Sequence, residues 1–294
     1  MTATAPFRGF RKHIWLRQET VWGDGGTGSP IYVPLSDTQA EGGMENELYR
    51  AIPEVQGQQI RWQGIKGKPV ELAINFMPVP ETIATVFGMA NTRNGTTFDL
   101  NSYGIYEASP TDARKWPGAK MRTLRISGQK GGEIHLETNW IAKDEVAGPT
   151  YATPDFGVLC AYLVQDVYVT WSGPTVAELG SFAVVLNTEL EAGMYAADKR
   201  ISALVAGITI AAGMASISLT DDDFSDAVRD GTTAAVTVVL GHPSVAETKT
   251  ITMANCVMVS AKSTASNLAE EDSGQRLIWQ AAMTGAGGAQ ISIA

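Results

Sequence analysis

The chain has 294 residues, 44% of them hydrophobic, enough for one large or two ordinary domains with buried cores. It carries 22 Lys+Arg against 31 Asp+Glu, a net charge of −9; without Arg8, Arg11, Lys12 and Arg17 the remainder has 18 against 31, or −13. That balance excludes nucleic-acid binding through clustered phosphate contacts, and no apolar run reaches the roughly 18–20 residues of a membrane helix.

The opening MTATAPFRGFRKHIWLRQ lacks the apolar stretch of about 7–15 residues that a signal peptide needs. It is basic and free of acid up to Glu19, so residues 1–17 are expected to form an arm on an acidic neighbouring surface, in preference to DNA. GDGGTG, with Gly23, Gly25 and Gly28, formally fits a dinucleotide-binding pattern. That pattern works between a strand and a helix, whereas Pro30 and IYVPL follow here, so a turn is expected. VELAINF alternates, with Val70, Leu72, Ile74 and Phe76 on one face, and predicts a half-buried strand. PETIATVFG predicts a short helix with Pro80 in its first turn, Ile83, Val86 and Phe87 inward, and Gly88 at its exit. TTFDL is expected as the next strand. RTLRISGQKGGEIHLETNWIA predicts a hairpin turning at 129–132, with Leu124 and Ile126 leading in and Ile134, Leu136, Thr138 and Trp140 leading back.

AKDEVAGPTYATPDFG, residues 142–157, is rich in turn formers and holds the expected join, with the linker at 147–157. Beyond it, TDDDFSDAVRDG predicts a helix with Thr220 as N-cap, Asp223 at the third position, Phe224, Ala227 and Val228 as its apolar stripe and Gly231 as its stop. DDDFSD resembles the start of a calcium loop, but Asp226 stands where that loop needs glycine and Thr232 where it needs glutamate. The strands AAVTVVL, ITMANCVMVSAK and QRLIWQAAM follow, the last with Leu277, Trp279, Ala281 and Met283 on one side.

DTQAEGGMENELYR at 37–50 returns as NTELEAGMYAADKR at 187–200, without a gap and at an offset of 150. Thr38/Thr188, Glu41/Glu191, Gly43/Gly193, Met44/Met194 and Arg50/Arg200 are identical. Thr20/Thr170, Gly23/Gly173, Gly57/Gly207 and Ile60/Ile210 keep the same offset. It then drifts downward: Val70, Leu72 and Ile74 match Ala215, Ile217 and Leu219 at 145, the helices sit near 140, and Trp140 answers Trp279 at 139. One order of elements thus occurs twice. The expected organisation is an arm at 1–17, a first copy at 18–146, the linker, and a second copy at 158–294.

Chemistry is sparse. Cys160 and Cys256 are expected to be reduced core thiols, and His13, His135 and His242 have no metal-ligand spacing. No GxSxG, HExxH or phosphate-binding loop occurs, and the sequon at Asn94–Thr96 stands without a secretion signal. Glu133, His135 and Glu137 share one strand face, where alternating polar residues ordinarily meet solvent. No cofactor or metal and no enzymatic activity is expected.

Few strands per copy imply open sheet edges, which invite pairing with a neighbour and, head to tail, closure into rings. EVQGQQIRWQGIKGKPVELAINFMPVPETIATVFG resembles the strand–strand–helix portion of tail tube proteins of long-tailed, non-contractile bacteriophages. MRTLRISGQKGGEIHLETNWIAKDE resembles the hairpin that follows it in that family, and SISLTDDDFSDAVRDGTTAAVTVVLG with QRLIWQAAMTGAGG resembles the same stretches again. The resemblance implies an all-β fold with a few short helices, made of two tandem β-sandwich or half-barrel domains. It further implies homotrimeric rings with pseudo-sixfold symmetry, or alternatively homohexamers, stacked around a lumen through which DNA passes without specific binding. Implied partners are the tape measure and the tail terminator and tip proteins; the implied location is the virion tail, assembled in the host cytoplasm. On this reading the repeated acidic connector is the loop to the adjacent ring, with Glu41, Glu191, Met44 and Met194 on it. Gly43 and Gly193 then form its tip, and Thr38, Thr188, Arg50 and Arg200 its base. Glu133, Glu137, Asn139 and Gln280 are candidates to face the lumen. The alternative is a two-domain β-sandwich that binds carbohydrate or mediates adhesion, its seven tryptophans and eight tyrosines supplying stacking platforms.

Overall fold

The computed structural model describes residues 13–33, the strands between 41 and 67, 69–93, 97, 99–108, 113–148, 167–171, 179–193, 201–218, 223–241, 248–264, 274–283 and 289–294. Among the described residues the fold is all-β with two helices. In chain order the first part runs β1 (His13–Gln18), β2 (Ile31–Tyr32), β3 (Glu41–Gly43), β4 (Asn46–Ala51), β5 (Glu54–Val55), β6 (Gln58–Gln59), β7 (Trp62–Gly67) and β8 (Val70–Phe76). It continues through α1 (Pro80–Asn91), β9 (Tyr103–Ala108), β10 (Ala113–Gln129), β11 (Ile134–Ala142) and β12 (Val146–Ala147). Then come β13 (Val167–Trp171), β14 (Leu179–Gly193), β15 (Ala203–Ser218), α2 (Asp223–Asp230), β16 (Thr233–Leu240), β17 (Lys249–Thr264), β18 (Gly274–Gln280) and β19 (Ile291–Ile293).

The pairing order β1–β9–β10–β11–β8 recurs as β13–β16–β17–β18–β15, antiparallel throughout. Its irregularities recur too. The ladder of β10 breaks between Trp116 and Ala119 against β9 and between Met121 and Thr123 against β11. A step of 137 carries these residues onto Met253, Cys256, Met258 and Ser260 of β17, which flank the breaks against β16 and β18. The same step carries Gly118, at φ 68°, onto Asn255, at φ 50°, the one non-glycine with positive φ among the described residues. A bulge needs that backbone shape, which asparagine tolerates better than most side chains.

These registers fix correspondences that the gapless sequence match misses. Glu41 and Gly43 face Ala73 and Glu71 on β8 as Ala183 and Val185 face Met214 and Ala212 on β15. Glu41 therefore corresponds to Ala183, an offset of 142, and not to Glu191. Likewise Leu72, opposite Trp140, corresponds to Gly213, opposite Trp279, an offset of 141 in place of 145. The expected connector at 37–50 contains strands: β3, β4, β5, β6, β7 and β8 form one long hairpin, with Glu41 opposite Ala73, Asn46 opposite Gly67 and Glu54 opposite Gln59. Its counterpart is the β14–β15 hairpin, paired from Leu179–Ile217 down to Gly193–Ala203.

One hydrophobic core runs through both halves, with Trp140 and Trp279 the largest fully buried side chains. Each buries on the order of 200 Å², or about 5 kcal/mol of transfer free energy. The Trp140 indole N–H donates to Thr138 Oγ1 at 2.8 Å. The Trp279 ring lies on Gly213, where a Cβ would fall 2.3 Å from it. On α1, Ile83, Val86 and Phe87 point into the core as expected. Gly88 is not its exit: Met89 and Ala90 are buried too, so the helix runs on to Asn91. On α2, Gly231 at φ 64° ends the helix, and the Thr232 N–H bonds to the Ala227 carbonyl at 3.2 Å. The proposed cap Thr220 lies outside the described residues.

Four further expectations meet a different structure. Leu100 makes only an isolated bridge to Arg93, and the strand after α1 is β9. Met283 is exposed beyond the end of β18. Residues 13–17 belong to β1, where Ile14 and Leu16 are buried in the core, and Ala147 at the start of the linker pairs with Arg114. The rest of the linker lies outside the described residues.

Candidate assembly surfaces

Seven strands in the order β8–β11–β10–β14–β15–β18–β17 turn one face to the core and the other outward. Because cross-strand partners share a face, the register traces rows across the outward side. One row runs Asn75, Glu137, Arg125, Val185, Ala212, Gln280 and Val257. Another runs Ala73, Asn139, Thr123, Asn187 and Ile210. Three of the four lumen candidates, Glu137, Asn139 and Gln280, thus lie on one continuous face. Glu133 is exposed just ahead of β11, two residues from His135 on that face. A depression of about 440 Å³ opens here, lined by Arg125, Ser127, Glu133, His135, Glu137 and Ser181 among others. Four charges on the face are paired across strands, Arg125 with Glu137 and Arg122 with Glu71, both at 3.9 Å, while exposed Lys262 and Arg276 lie opposite one another at its β17–β18 end. Exposed pairs of this kind contribute under about 1 kcal/mol to stability.

The candidates for the inter-ring loop fall on different structures. Glu41 and Gly43 lie in β3 and Arg50 in β4, opposite Gln63. Glu191 and Gly193 lie at the exposed end of β14, facing Val205 and Ala203. Thr188 is buried and shares a 2.8 Å hydroxyl–hydroxyl hydrogen bond with Thr209. Thr38, Met44, Met194 and Arg200 lie outside the described residues.

A polar junction that sequence reasoning missed holds the β14–β15 hairpin against the first half. Lys120, 3% exposed, bonds to Asp99 at 2.5 Å and donates to the Leu204 carbonyl. Asp99 also accepts the Ala206 N–H at 2.9 Å. Arg93 donates to the Gly207 carbonyl at 2.6 Å and to Thr209 Oγ1 at 2.7 Å. Desolvation lowers the Arg93 pKa, against the opposing pull of Asp99. Ile141 packs on Ile201 and Leu204 beside them. No sequence motif marks this junction, because its members come from four separate segments.

The glycine-rich 23–28 segment is a turn, as expected, and the turn has an organiser. Buried Glu19 accepts the N–H groups of Gly23 at 2.9 Å, Gly25 at 2.7 Å and Gly118 at 2.8 Å. Gly23, Gly25 and Gly26 all take positive φ around it, and the Tyr106 hydroxyl donates to the Gly25 carbonyl at 2.5 Å. Those amides are spent on the chain's own carboxylate. Among the described residues no group of three or more His, Cys, Asp or Glu could hold a metal ion, and no helix is long and apolar enough to cross a membrane. Cys256 is fully buried, and burial raises its thiol pKa to about 11. Cys160, His242 and the sequon at 94–96 lie outside the described residues.

Open-edged antiparallel sheet, a continuous outward polar face and long hairpins define a β-sheet protein of the assembly-forming class. The chain belongs to the phage tail tube protein family, whose profile matches residues 9–292. Membership gives it a structural role in the tail tube of a virion. Among individually curated proteins, none matches it.

Proposed function

We infer that the chain is the tube subunit of a long, non-contractile phage tail, built from two copies of one edge-pairing β module. The observation that carries the reading is the recurrence of the pairing order together with its bulges and its positive-φ residue. Independent folds would have no reason to repeat a bulge at corresponding positions. Copies of the chain join edge to edge into stacked rings, three chains giving six modules. The outward face lines the lumen, and the net negative charge of the chain lets DNA slide past without holding it. The two long hairpins reach toward the adjacent ring, and the basic residues before His13 dock on an acidic neighbouring surface. Tape measure, terminator and tip proteins cap and fill the tube, which is assembled in the host cytoplasm.

Negative-stain microscopy of the purified protein tests this: stacked hollow rings are expected, and a uniformly monomeric sample at high concentration would refute it. Deleting residues 39–47 should leave folded protein that no longer forms tubes, since it removes β3 and shortens the first hairpin. Normal tubes from that variant would remove the hairpin from the assembly role.

A further inference from the structure

The joint between neighbouring chains can be read from the joint inside one chain; this rests on the tube reading above and specifies its partner surface. Beyond Ala119, the side of β10 that β9 leaves open is taken up by β14, with Thr123 opposite Asn187 and Gln129 opposite Ser181. β17 ends its pairing with β16 at Val257 but runs on to Thr264 along β18. Among the described residues no strand pairs with the other side of 258–264. Among the described residues β3, which corresponds to part of β14, is likewise paired on one side only, to β8. Two unpaired rows of backbone donors and acceptors therefore sit at opposite ends of the outward-facing sheet, a template for strand addition.

Apolar exposure gives a second, independent sign. Lys120, the counterpart of Val257, is buried beneath Leu204, and Ile141, the counterpart of Gln280, packs on Ile201 and Leu204. Val257 and Val259 are 42% and 55% exposed. The hairpin that covers the first position thus lacks a described counterpart over the second.

We propose that the 258–264 edge of β17 takes β3 of a second copy of this chain, in the register that β14 takes on β10. Carrying that register across sets Lys262 opposite Gly43, Ser263 opposite Gly42 and Thr264 opposite Glu41. The second copy's first hairpin then lies over Val257 and Gln280, which assigns Gln280 to the joint and away from the open lumen wall.

The test is a pair of cysteines in a Cys160→Ser background, oxidised after assembly. Gly43→Cys with Lys262→Cys places two thiols on one face at directly paired positions, within the roughly 4.4–6.8 Å Cα separation a disulfide accepts. Gly42→Cys with Lys262→Cys places them on opposite faces. Covalent multimers on a non-reducing denaturing gel are expected from the first pair and monomers from the second. Rings in the micrographs with no linkage, or with equal linkage from both pairs, would overturn the joint and leave the tube reading standing. Wild-type protein that forms no rings overturns both. Should the cysteine variants fail to fold, amide exchange of wild-type protein decides: residues 258–264 should exchange roughly tenfold or more slowly in tubes than in protomers, and unchanged exchange there refutes the proposal.

Discussion

Glu19 shows how one side chain sets a backbone. Its carboxylate satisfies three amides from two segments, one of them 99 residues along the chain from Glu19, and burial makes each charge-assisted bond costly to lose. Glu19→Ala should destabilise the protomer by about 3 kcal/mol in urea unfolding, with Glu19→Gln intermediate because one amide oxygen remains as acceptor. Asn255 is the converse case, a residue held where glycine stands in the first half. Asn255→Gly should be neutral within about 0.5 kcal/mol, whereas Asn255→Val, branched at Cβ, should cost about 1–2 kcal/mol. Cys256 makes a pH prediction. Its ordinary pKa of 9.0 rises on burial to about 11, so the folded state holds the thiol proton more tightly than the unfolded state does. The resulting stability is complete below pH 9 and is lost as pH climbs through 11. Melting temperature should therefore fall over that window, and Cys256→Ala should flatten that part of the fall. Tyr103, raised by burial to about 12, continues the decline above it.

Elements differ in how much of themselves they write into sequence. β8 is half-buried, so Val70, Leu72, Ile74 and Phe76 alternate with Glu71, Ala73 and Asn75, and its span was legible outright. β9 is buried on both faces along its whole length, so no alternation marks it, and of TTFDL beside it Leu100 makes an isolated bridge to Arg93. The sequence pairing of Trp140 with Trp279 anticipates one part of the recurring strand order, since they face Leu72 on β8 and Gly213 on β15. The register offsets of 141 and 142 were not legible, because each bulge and each loop of different length shifts the count, while the gapless match at 150 rests on glycines and acids in the hairpins. Glu137 and Asn139 share a face because strand periodicity decides that, and register adds Gln280; the junction around Lys120 left no periodic trace. Lys120→Ala should cost about 3 kcal/mol, since it leaves half-buried Asp99 and the Leu204 carbonyl without their donor, and Lys120→Met should cost less because it keeps the packed stem. A double-mutant cycle with Asp99→Asn would isolate their coupling.

At the scale of the whole molecule, the N-terminal segment has two parts with different duties. Residues 13–18 complete the sheet, so a truncation beginning at Glu19 should unfold the protein, as circular dichroism would register. A truncation beginning at His13 should leave a folded protomer whose assembly is weaker and less sensitive to salt. Unaltered tube formation by that shorter variant would remove the basic segment from the interface.

The pairing of β10 with β14 lies inside a single polypeptide, and that has a kinetic consequence. A seam whose two sides are tethered forms at an effective concentration set by the chain, on the order of millimolar, however dilute the solution. In the ring proposed above, every second seam would then already be made before any encounter, so diffusion would have to find half as many contacts as six separate modules would require. Breakage follows the same arithmetic: a disrupted circle can come apart only between whole chains, releasing modules in pairs and never singly.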